Sequence, residues 1–149
     1  MSPIVLDPGV ALNLAVLACE EEMARDCGLQ LLTAPAALDE TNDAGQIGNY
    51  LDYSLHATEE EARAAALAHS LAASLATDSP KMRVLVSGRG GQTSSTLTLL
   101  VAWMRLSRMP EARQARLASE LSQKALFVPP RCDPHIAWWT QHHQQRRTA

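Results

Sequence analysis

The sequence predicts an α/β fold, with a central, mostly parallel sheet flanked by helices and an all-helical C-terminal third. Three stretches carry that expectation. Thr58–Ala76 has the period of an amphipathic helix, Arg83–Ser87 (RVLVS) reads as a short buried strand, and Leu97–Arg108 reads as a mostly apolar helix. The 149 residues, 46% of them hydrophobic, suit one compact domain over residues 1–149.

The first helix of the upstream part is expected over Ala18–Cys27, closed by Gly28, and a strand LQLLT follows it. A polar loop containing Asp39 to Asn49 then leads into a second strand, Tyr50–Leu55. Leu67, Leu71 and Leu75 mark the apolar stripe of the helix over Thr58–Ala76. Thr58 with Glu61 forms a capping box at its start, and Asp78, Ser79 and Pro80 end it. Beyond the apolar helix, Pro110 opens a polar helix to about Lys124. Asp133 and Pro134 start a last helix carrying Trp138 and Trp139, and residues 140–149 form a short polar tail.

Composition excludes several classes of function. A net charge of -3 supplies no cationic surface for sequence-independent nucleic-acid binding. Cys19, Cys27 and Cys132 are odd in number and lack CxxC spacing, which suits buried thiols of a reducing, cytoplasmic compartment better than a disulfide framework or a zinc cluster. The opening MSPIVLDPGVALNLAVLACEEE has an apolar patch, but an Asp interrupts it and no basic residue precedes it. It reads as neither a targeting segment nor a membrane anchor. His56 and His69 lack metal-ligand spacing, and His142, His143, Arg146 and Arg147 read as a cationic end rather than a metal site. No metal or cofactor is expected.

The glycine turn GRGG between the expected strand and the apolar helix is the natural place for chemistry, because amides converging at a helix N-terminus favour an anion. A nucleotide-phosphate loop would end in Gly-Lys-[Ser/Thr], whereas this chain has Gln92, Thr93, Ser94 and Ser95. A dinucleotide fingerprint is approached by Gly88, Gly90 and Thr93, but its third glycine is missing.

The stretch VLVSGRGGQTSSTLTLLVAWM resembles the pattern VLVHCxxGxxRSxTLVIAYLM of the dual-specificity, cysteine-based protein phosphatases. YLDYSL, the helix from Thr58 and FVPPRCDPHIAWW fall in that family's order, so the resemblance runs from roughly Pro8 to Trp139. It implies a phosphatase-like fold without the catalytic groups. The nucleophilic cysteine falls on Gly88, the histidine before it on Ser87, the phosphate-forking arginine on Ser94, and the general acid near Ala57 or Thr58. Glycine offers no thiolate and serine no bidentate cation. The chain therefore departs further than the serine/threonine/tyrosine-interacting pseudophosphatases, which commonly keep the arginine.

The resemblance thus implies a pseudophosphatase that serves as a protein-binding scaffold or as a subunit of a larger assembly, with no enzymatic activity. The alternative is a weak phosphate or phosphoprotein sensor built from Ser87, Gly88, Arg89, Gly90, Gly91, Gln92, Thr93, Ser94 and Ser95. Trp138 and Trp139, about 100° apart on a helix, cannot both point fully into the core, so one of them is a candidate interface anchor.

Overall fold

The structure is a computed structural model that describes residues 2–34 and 44–145. Its elements are β1 (Ser2–Leu6), α1 (Pro8–Leu17), α2 (Glu20–Cys27), β2 (Leu29–Thr33), α3 (Ala44–Ser54), α4 (Glu59–Ser70), β3 (Ser74–Ala76), α5 (Pro80–Gly88), β4 (Thr93–Ser94), α6 (Thr96–Leu106), α7 (Glu111–Lys124) and α8 (Ile136–Gln145). The strands form one all-parallel sheet in the order β2-β1-β3-β4. The α/β class is therefore as expected, and among the described residues everything beyond β4 is helical or irregular.

The period of two along the strands divides the core. Val5 and Leu75 face a cluster with Tyr53, Ala62, Ala65, Met82 and Val86, whereas their neighbours Leu6 and Ala76 face a cluster with Leu14, Met23, Leu97, Leu100 and Trp103. Helices α1, α2, α6 and α7 thus cover one face, and α3, α4 and α5 cover the other. The chain moves from β1 to β2 with helices on the first face. It returns past β1 to β3 and on to β4 with helices on the second. Opposite directions on opposite faces keep a single crossover hand, as parallel sheets require.

Local signals explain most helices. Asp7 caps α1 ahead of Pro8, Gly28 closes α2 in the left-handed conformation (φ 63°), Thr58 and Glu61 complete both halves of a capping box, and Pro110 stands at the N-cap of α7. The Asp133 carboxylate accepts a hydrogen bond from the His135 amide (2.9 Å) just ahead of α8, so residues 140–145 of the expected tail are helical.

Three expected elements are corrected. Arg83–Ser87 is not a strand but the body of α5. Ser79 caps that helix through the Met82 amide, Pro80 sets its first turn, and burial follows the helical spacing of Met82 and Val86 while Val84 is 73% exposed. Tyr50–Leu55 is likewise not a strand. Tyr50 and Tyr53, three residues apart, lie on the side of α3 that packs with the α4 alanines. The helix expected to reach Ala76 stops at Ser70, where Ala72 turns the chain at φ 51° and frees Leu75 and Ala76 to enter the sheet as β3. Residues 39–43 of the expected polar loop, together with Arg146 and Arg147, lie outside the described residues.

Candidate functional site

In an open parallel α/β sheet, ligands bind beyond the carboxyl ends of the strands, where neighbouring strands send their connections in opposite directions. Here that point lies between β1 and β3, and the residues that follow those strands are Asp7 and Thr77–Asp78.

Asp7 is 7% exposed. Its Oδ1 accepts the Val10 amide (2.8 Å) at the start of α1, and its own amide donates to the Ala76 carbonyl (2.9 Å), which ties the end of β1 to β3. Asp78 reaches toward α6. Its Oδ1 accepts the Thr96 amide (3.0 Å), and its Oδ2 accepts the Thr96 hydroxyl (2.7 Å) and, more weakly, the Asn13 amide group (3.4 Å). Thr77 is fully buried, accepts the Ser79 amide through its hydroxyl, and donates its amide to the Ser94 carbonyl (2.9 Å).

A third carboxylate, Asp133, arrives from the link between α7 and α8. It is 3% exposed, and its Oδ2 has no hydrogen-bond partner among the described residues.

Burial raises the pKa of the Asp7 carboxyl above the ordinary aspartate value, and hydrogen bonds from Thr77 and Val10 offset only part of the rise. The nearby Glu61 adds to it. Asp78 is raised as well, first by burial and further by the charges of Asp7 and Asp133, against the opposing hydrogen bonds of Thr96. Among the described residues no ion pair engages Asp7, Asp78 or Asp133. Asp7 and Asp78 therefore stand at one edge without an ion-pair partner among the described residues, although taking an unpaired carboxylate out of water costs several kcal/mol.

A cavity of about 390 Å³ opens beside Asp7, between the ends of β1 and β2 and the first turns of α4, with Leu6, Pro8, Thr33, Glu60 and Arg63 in its walls. Arg63 supplies a guanidinium there and is paired with Glu59.

The glycine turn is at odds with its expected role. Its amides do not converge on an open point: Arg89 and Gly91 donate to the Val86 carbonyl and Gly90 to the Ser87 carbonyl, so they close the C-terminus of α5. An α-helix C-terminus carries negative partial charge and repels an anion. The nine residues are also split along the sheet. Ser87 and Gly88 end α5, and Arg89, Gly90, Gly91 and Gln92 line a second cavity of about 380 Å³ at the amino edge with His69 and Ser74. Thr93 and Ser94 form β4, and Ser95, fully buried, caps α6 through the Thr98 amide (3.1 Å). The Arg89 guanidinium pairs with Asp52 (3.1 Å) and lies over the Tyr53 ring, 4.8 Å from its centroid. Ala57 is half-buried beside the α4 cap.

Trp139 is buried against Phe127 in an edge-to-face pair. Half-buried Trp138 donates to Gln114 and stacks on His142. Burial pushes the Cys19 thiol up to about 12, so it is no nucleophile.

Asp7, Thr77, Asp78, Thr96 and Asp133 went unread as a group. The available signal was an apolar run followed by a polar residue and then a proline: IVL-Asp-Pro and SLA-Thr-Asp-Ser-Pro each mark a strand end feeding a helix start.

No protein-family model matches the chain, and no curated protein or solved structure is significantly similar to it.

Proposed function

We propose that this protein hydrolyses a phosphate ester with the help of a divalent cation held at Asp7 and Asp78. The observation that carries the reading is the pair Asp7 and Asp78 at the carboxyl edge of a parallel sheet, each raised in pKa first by burial and further by neighbouring carboxylate charge, and without an ion-pair partner among the described residues. A divalent ion removes both penalties at once. No group of three or more His, Cys, Asp or Glu among the described residues could hold a metal, which does not suit zinc with its closed set of protein ligands. Magnesium, by contrast, uses one or two carboxylates, keeps several waters and takes its remaining positions from substrate phosphate.

The chemistry follows from the ion's charge. A divalent cation held by Asp7 and Asp78 would supply the charge that makes water a nucleophile toward phosphorus, with the phosphorus–oxygen ester bond as the one that breaks. The leaving oxygen collects a proton from solvent, so ester and water give phosphate and alcohol.

Wild-type protein should gain thermal stability in magnesium or manganese, about 2.7 kcal/mol when the ion stands at roughly 100 times its dissociation constant. It should then hydrolyse at least one of a phosphomonoester, a phosphodiester and a single-stranded oligonucleotide. Equal melting temperatures in EDTA and in millimolar metal would end the proposal.

A second reading keeps the phosphatase-like scaffold. It is supported by exposed Leu51 on α3, Leu55 in the turn just after it and Val84 on α5, with Arg89 at the end of α5 paired to Asp52 of α3, which offer apolar surface for a protein partner. Co-purification from native extract with partners lost on Leu55→Asp would favour it.

A further inference from the structure

We propose that the cavity at the carboxyl ends of β1 and β2 binds a free apolar α-amino acid, with its side chain on Leu6, Pro8, Ala34 and Ala64 and its two charged groups on Glu60 and Arg63 of α4. The volume of about 390 Å³ lies in the range of small-ligand sites. The carboxyl ends of the strands are also the side on which open parallel sheets take ligands.

Leu6 and Ala64 are buried at 4% and 1% exposure, and with Pro8 and Ala34 they give the cavity an apolar surface. Its charges come from one face of one helix. Glu60 and Arg63 are three residues apart in α4 and so are neighbours on the helix surface. Arg63 gives its Nη2 to Glu59 rather than to Glu60, and a guanidinium carries donors on three nitrogens. Glu60 makes no ion pair among the described residues. The two charges lining the cavity therefore cancel, which favours neither a simple anion nor a simple cation.

An α-amino acid carries the matching pair. Its carboxylate accepts from the Arg63 guanidinium, its ammonium donates to the Glu60 carboxylate, and an apolar side chain covers Leu6 and Ala64. A phosphate would face Glu60 with like charge, and a sugar would turn hydroxyls without partners toward the apolar surface. Neither Asp7 nor Asp78 lines this cavity, so the inference stands apart from the metal reading.

The test is calorimetric titration of the full chain in EDTA with L-leucine and L-phenylalanine. Each is compared with its amine lacking the carboxylate (3-methylbutylamine, phenethylamine) and its acid lacking the ammonium (4-methylpentanoate, 3-phenylpropanoate). At least one amino acid should bind with a dissociation constant on the order of 1 mM or tighter, and both of its truncated forms roughly tenfold more weakly. Arg63→Gln should erase the difference between amino acid and amine, and Glu60→Gln the difference between amino acid and acid. Glu60 is exposed, and the Arg63 ion pair lost on substitution is with a residue 64% exposed, so folded variants are expected. Ala34→Phe, which fills the cavity without touching either charge, should abolish binding. No binding of either amino acid at millimolar concentration, equal binding of the truncated forms, or undiminished binding by Ala34→Phe would overturn the inference. Unchanged preferences in folded Arg63→Gln and Glu60→Gln would overturn it as well.

Discussion

Asp78 occupies the place where a bound anion would otherwise sit. The amide-rich start of α6, which the sequence analysis assigned to a phosphate cradle, is filled by the protein's own carboxylate through Thr96. Removing charge from this edge has a definite sign. Asp7 has a raised folded pKa, so the folded state holds its proton more tightly than the unfolded chain does. Its contribution is favourable below the unfolded aspartate value near 3.8 and is lost as pH rises through the raised folded value. Asp7→Asn keeps an oxygen for the Val10 amide, so it should be more stable than wild type at pH 7 without metal, with the advantage fading toward pH 3 in denaturant titrations. A pH-independent difference would contradict it.

The glycines of the turn give a second residue-scale forecast. Gly90 has φ 80°, and a Cβ on Gly91 would lie 2.6 Å from a Val86 methyl, whereas a Cβ on Gly88 meets nothing within 4 Å. Gly90→Ala should cost about 1 kcal/mol and Gly91→Ala should also destabilise. Gly88→Ala, inside a helix, should gain about 0.5–1 kcal/mol. A phosphate cradle at this turn would reverse the expectation that Gly88→Cys with Ser94→Arg gains no phosphatase activity.

At the scale of elements, the helices with explicit caps were legible. α2, α6, α7 and α8 emerged close to their expected bounds because Gly28, Ser95, Pro110 and Asp133 act locally. The strands were not, since β3 and β4 have only three and two residues, too few for a period of two to register. RVLVS misled for a related reason: its valines suit a strand, but Ser79 and Pro80 fix a helix start, and the tertiary position of Met82 completes the choice. The phosphatase resemblance rested on that stretch as a strand, and the layout it needed there is not formed. The assignment of α5 is open to test. Val84→Lys, on the exposed side, should stay within about 0.5 kcal/mol of wild type, whereas Met82→Ala, fully buried, should lose about 2–5 kcal/mol. Similar losses at both positions would indicate a buried strand.

Across the whole molecule, one sheet divides two cores, and the candidate site lies at the rim where the helices of both faces begin. The α/β class was legible from alternating periods, but the site was not. Its members are separated by up to 126 residues in sequence (Asp7 to Asp133), and only the strand order β2-β1-β3-β4 gathers them. Among the described residues no helix is long and apolar enough to cross a membrane. The same strand order bears on biosynthesis. β1 is made before its partners, yet it is an interior strand whose second neighbour, β3, ends at Ala76 and whose first-face cover includes α6, ending at Leu106. Until β3 has been made, the Ile4–Leu6 edge lacks that partner, and chaperones that shield extended apolar segments have that interval in which to act.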